Sequence, residues 1–134
     1  MTFREFRRLC LALPEAEETE TWGEATFRVR ARIFAIGSPE GRSVSLKASL
    51  DDQAGLVAMD PKTFAVAAYT GRFGWVNVSL ARLGPELGAR LVRNAWERTA
   101  PRRLARNVET RKPGAGSLGR RQARARSREE ERRR

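Results

Sequence analysis

The spacing of apolar residues changes period several times along the chain, and each change marks a predicted element. Phe3, Phe6, Leu9, Cys10 and Leu13 recur at steps of three and four, which predicts a helix over Thr2–Leu13. Thr2 and Glu5 have capping-box spacing, and Pro14 closes the run. Glu15, Glu17, Glu18 and Glu20 then read as an acidic loop. From Ala25 the period drops to two, with Phe27 and Val29 inward and Thr26 and Arg28 outward. Arg32–Ile36 is a second strand across the short Arg30-Ala31 link, so a hairpin is expected, although neither linking residue favours a primed turn. Gly37–Gly41 is a loop by composition, and Arg42–Ala48 alternates again with Val44, Leu46 and Ala48 inward.

Ser49 or Asp51 can cap a second helix that runs to Met59 and ends at Asp60-Pro61. Phe64–Tyr69 is a weaker strand, Thr70–Gly74 a turn, and Trp75–Leu80 a strand with Val76, Val78 and Leu80 inward. Gly84-Pro85 opens a third helix, whose buried stripe is Leu87, Leu91, Val92, Ala95 and Trp96 and which Pro101 ends. The order α-β-β-β-α-β-β-α predicts an α+β domain over residues 1–104, with helices on one face of a five-stranded antiparallel sheet in two layers. Residues 105–134 differ in composition, and Gln122–Arg134 is mostly Arg, Ala and Glu with no apolar stripe. Lys112–Gly119 is linker-like, and the segment as a whole is expected to be a disordered basic tail.

Charge sharpens that division. The net charge is +11, yet residues 1–100 carry 14 Lys or Arg against 12 Asp or Glu, while 101–134 carry 13 against 4. The expected domain is nearly neutral, so the isoelectric point near 11.4 says little about its own surface. No apolar run approaches the length of a membrane-spanning helix, and the charged N-terminus argues against a signal peptide. The single cysteine excludes an internal disulfide framework and suits a reducing, cytoplasmic setting.

The chain has no histidine, which removes the commonest general base and metal ligand. Neither a phosphate-binding glycine loop nor a dinucleotide-binding glycine pattern occurs. Asp51-Asp52 fits the acidic first turn of a helix better than an acid/base pair, and Glu15–Glu20 fits a solvated loop better than a cation site. Cys10 lies on an apolar stripe and reads as a buried structural thiol. The expectation is a protein without enzymatic activity, cofactor or metal.

Four segments carry a family resemblance. Trp22-Gly23-Glu24-Ala25-Thr26-Phe27-Arg28-Val29 is followed in order by Asp60-Pro61-Lys62-Thr63-Phe64 and by Tyr69-Thr70-Gly71-Arg72-Phe73-Gly74-Trp75-Val76. Trp96 with Ala100-Pro101-Arg102-Arg103-Leu104 completes the set. Together they resemble the MmcQ/YjbR-like family over residues 3–104. The resemblance implies a two-layer fold similar to type III secretion chaperones, a DNA-binding label, and no known enzymatic activity or cofactor. The chain departs from the pattern at Arg30-Ala31, where glycine is common, at Glu24-Ala25 and at Ala67-Ala68; the basic tail lies outside it.

The outward residues of the expected sheet include Thr26, Arg28, Ser43, Ser45, Lys47, Trp75, Asn77 and Ser79. An exposed Trp75 beside Arg28 or Lys47 can stack on a base while the cations meet phosphates; it can equally be a structural or dimer contact. Arg72 sits at a turn tip where a ligand can reach it. Arg102, Arg103, Arg120, Arg121, Arg124 and Arg126 supply phosphate contacts from the C-terminal region. The expected partner is therefore nucleic acid, bound without sequence preference. The alternative is a protein- or peptide-binding module, monomeric or homodimeric, that uses the open sheet face; membrane anchoring is not expected.

Overall fold

The structure, a computed structural model, describes residues 1–111, with side chains through Arg106. Helix α1 (Phe3–Leu11) begins with the capping box: Thr2 Oγ1 accepts the Glu5 N–H at 3.1 Å, and the Glu5 carboxylate accepts the Thr2 N–H at 2.8 Å. Phe6 and Cys10, one turn apart, are both buried. The sheet strands are β1 (Ala16–Thr21), β2 (Glu24–Val29), β3 (Arg32–Gly37), β4 (Ser43–Leu46), β5 (Phe64–Val66) and β6 (Val76–Ser79). Helix α2 (Leu50–Met59) lies between β4 and β5, and α3 (Pro85–Thr99) and α4 (Arg102–Arg111) follow β6. Ser49 settles the alternative left open for α2: its hydroxyl accepts the Asp52 N–H, and Asp51 and Asp52 occupy the first turn.

The sheet has six antiparallel strands in the order β1-β2-β3-β4-β6-β5, one more than the apolar pattern predicts. The extra strand is the acidic segment, which is not a loop. It pairs with β2 along its whole length, from Ala16 opposite Val29 to Thr21 opposite Glu24. No apolar alternation announces it, because an edge strand can be held by its polar side chains. Glu18 receives two N–H donors from Arg7 at 2.9 Å, Glu15 is bidentate on Arg30, and the Thr19 and Thr26 hydroxyls share a hydrogen bond.

Both hairpins at this side of the sheet close through two residues with positive φ. Trp22 and Gly23 lie at +53° and +82°, and Arg30 and Ala31 at +52° and +70°. This primed-turn backbone matches the strand twist. At Arg30-Ala31 it is adopted without glycine, with Arg30 anchored by Glu15. The β2–β3 register slips between Phe27 and Arg28, where β3 fits in Phe34 as an extra residue, a β-bulge.

Phe27, Val29, Ala35, Val44, Leu46, Phe64, Val76 and Val78 are buried. Phe6, Val92, Ala95 and Trp96 of α1 and α3 complete the core. The Trp96 indole N–H donates to the Pro14 carbonyl at 3.0 Å, so this buried ring leaves no donor unpaired. The chain divides into two units after Pro101, and α4 begins the second. Pro101 therefore ends one helix and immediately precedes another, across the boundary at residue 104 predicted between domain and tail; residues beyond 111 of that tail lie outside the described residues.

Candidate nucleic-acid interface

Within residues 1–101 the expected site residues fall on different elements. Arg28 lies on the open side of β2, where its guanidinium is engaged with Thr19 Oγ1 at 3.0 Å and the Ala31 carbonyl at 3.3 Å. Arg72 stands over the Phe73 ring at 4.7 Å on the connection between β5 and β6. Trp75 is not an exposed stacking surface: it is 8% accessible. It precedes β6, where α2 and the returning chain enclose the backbone, and its carbonyl accepts from Gln53 Nε2 at 2.7 Å and from the Ala67 N–H. Strand alternation does not govern a residue just outside the ladder. Thr26 is also buried, tied to Thr19. Arg102 and Arg103 are exposed on α4, and Arg120, Arg121, Arg124 and Arg126 lie outside the described residues.

Lys47 has a different setting. It follows β4 and lines a cleft of about 370 Å³ between α2 and α3, together with Leu56, Met59, Leu87, Arg90 and Asn94 among others. Burial, and then the like charges of Arg32 and Arg98, push the Lys47 ammonium below its usual range. Arg90, Asn94 and Arg98 are four residues apart on α3, so they share one row along the helix. Arg90 to Arg98 spans about 12 Å at the helical rise. Arg32, Lys47, Arg90 and Arg98 make no hydrogen bond or ion pair from their side chains among the described residues. Asp51 and Asp52 also line the cleft, without pairing to Lys47 or Arg90.

This cationic row is the charge feature that the sequence reading missed. Its only linear signal is the Arg90/Asn94/Arg98 spacing; that Lys47 and Arg32 stand beside it depends on tertiary packing. Tyr69 and Phe73 were also missed as candidates. They are 94% and 61% accessible, respectively, on the β5–β6 connection.

The YjbR family model matches residues 11–98, more than half of the chain. The chain belongs to the YjbR family. A solved relative of this fold is the Deinococcus radiodurans protein DR2400, with a DUF419 domain. Its TM-score to this chain is 0.65 at 24% identity, over 71% of this chain and 75% of that one. At that identity the likeness concerns the fold. No curated protein matches. The matched YjbR region contains Lys47, Arg90 and Arg98, as well as the β5–β6 connection. Among the described residues, no group of three or more His, Cys, Asp or Glu is placed to hold a metal, and no helix is long and apolar enough to cross a membrane.

Proposed function

We propose that this YjbR domain is a non-enzymatic nucleic-acid-binding protein that contacts phosphates through the α3 row and its neighbours. The observation that carries this reading is Lys47, which feels the like charges of Arg32 and Arg98 and shares its cleft with Arg90, none of the four having a carboxylate partner among the described residues. Crowding like charges costs stability, and a polyanion relieves that cost while releasing its own counterions. Phosphate contacts carry no base information, so the binding is non-specific in sequence. The second unit carries exposed arginines of its own, Arg102 and Arg103 on α4. The absence of histidine and the burial of the single cysteine support a binding role over a catalytic one.

The test compares full-length protein with a form ending at Arg111, each binding labelled duplex DNA across a salt series. Replacing Lys47 and Arg98 by Gln is expected to reduce the slope of log affinity against log salt by about 2 in both forms. A truncated form that does not bind, or a slope unchanged by the double substitution, sinks the reading. One observation favours a second reading. The α2/α3 cleft has apolar walls, including Leu56, Met59, Leu87 and Leu91, which suit a peptide side chain. Binding that ignores salt but fails in Leu91→Asp would support that alternative.

A further inference from the structure

We propose that the β5–β6 connection is a stacking platform for unpaired bases, which gives the protein a preference for single-stranded over duplex nucleic acid; this rests on the nucleic-acid reading above. The connection presents Tyr69 at 94% accessibility and Phe73 at 61%, with the Arg72 guanidinium lying over the Phe73 ring. Tyr69 sits at φ +66°, a conformation that aromatic residues rarely adopt. The ring is thus held outward by a costly backbone, although the same segment places Trp75 in the interior.

The mount is rigid. Ala67 and Trp75 close the segment by a backbone hydrogen bond, Gly71 N–H donates to Ala67 at 2.9 Å, and Phe73 and Gly74 donate back to Thr70 and Gly71. The buried side chain of Gln53 donates to both the Gly71 carbonyl at 2.8 Å and the Trp75 carbonyl at 2.7 Å, tying the loop to α2. Exposed rings carried on a backbone held in this way cost little backbone freedom on binding. Residues 66–75 carry one charge, Arg72, and no carboxylate to repel phosphates. Trp22 gives the contrast. It is 98% accessible, but stands between Glu20 and Glu24 at the tip of an acidic hairpin, where a phosphate backbone is disfavoured.

Bases in a duplex keep their faces stacked on one another, whereas a single strand offers them to aromatic side chains. The test uses the full chain with labelled oligothymidine and with duplex DNA, at one salt concentration and then across a salt series. Tyr69→Ala with Phe73→Ala is expected to weaken oligothymidine binding at least tenfold with little change in salt slope, and to leave duplex binding unchanged. Tyr69→Phe should retain the affinity, and Trp22→Ala should behave as wild type. Equal losses on both nucleic acids, or no loss on either, overturn the platform while leaving phosphate binding intact. A wild-type protein that binds neither strand overturns both readings. If its self-association then falls in the double variant, the loop is a protein contact instead. Circular dichroism of each variant separates unfolding from lost stacking.

Discussion

The two flanks of the sheet differ in how their charged side chains are partnered. On the flank of α1, β1 and β2, several polar groups are paired with one another: Arg7 with Glu18, Arg30 with Glu15, Thr19 with Thr26 and Arg28. On the flank of α2, β6 and α3, Lys47, Arg90 and Arg98 have no partners among the described residues, and Tyr69 and Phe73 face solvent. The first arrangement closes an edge strand that has almost no apolar side chains of its own. The second contributes nothing evident to folding, and through Lys47 works against it. Groups that stability does not explain are the ones to examine for function.

The sharpest way to break this contrast is to attack the mount of the second flank. Gly74 lies at φ +104°, and a Cβ there would sit 2.1 Å from the Ala48 carbonyl oxygen. Gly74→Ala is expected to cost about 3 kcal/mol or more in urea unfolding. A near-neutral result would mean that the loop is loosely held and that its exposed rings are incidental. Gln53→Ala comes next. It strips a donor from two carbonyls and is expected to cost about 1–3 kcal/mol, with single-strand affinity falling alongside. Unchanged stability would contradict the anchoring role.

The third change should have the opposite sign. Burial and two arginines depress the Lys47 pKa, so the charged form is disfavoured in the folded state. Stability therefore rises as pH climbs through the lowered folded value toward the ordinary lysine range. Lys47→Met is expected to raise Tm by up to about 4 °C while weakening duplex binding. A drop in Tm would make Lys47 a structural residue like those of the other flank. The smallest effect is expected at Glu15, whose carboxyl Arg30 holds below its usual range. Its contribution is present above the ordinary glutamate pKa and is lost as pH falls through the folded value. Glu15→Gln should change neutral-pH unfolding little and flatten the acid limb. An unchanged acid limb would mean that this pair does not persist in solution.

Most of the fold was legible where apolar residues keep a period. Phe27 and Val29, Val44 and Leu46, and Val76 and Val78 mark strands, and the capping box of Thr2 and Glu5 marks α1. β1 escaped because its stabilising contacts are made by Glu and Thr side chains to partners elsewhere in the chain. Trp75 was misplaced because alternation was extended one residue past the ladder into a segment that Gln53 gathers inward. α4 escaped because Pro101 was read only as a stop, although it sits equally well just ahead of a helix. Of the candidate interface, Lys47 and Arg72 could be named from sequence. Their company could not, because Arg32 and Arg98 reach Lys47 only through packing.

Cys10 has a consequence for watching this molecule at work. It is the chain's single cysteine; it is wholly buried, and burial, with Glu18 nearby, pushes its thiol well above the ordinary range. Only the thiolate attacks a labelling reagent, so the native protein is silent toward one. Each labelled molecule records a moment when the Cys10 face of α1 came open to solvent. The rate of labelling is a clock for that opening, supplied by the natural sequence, and it can be read with DNA present or absent.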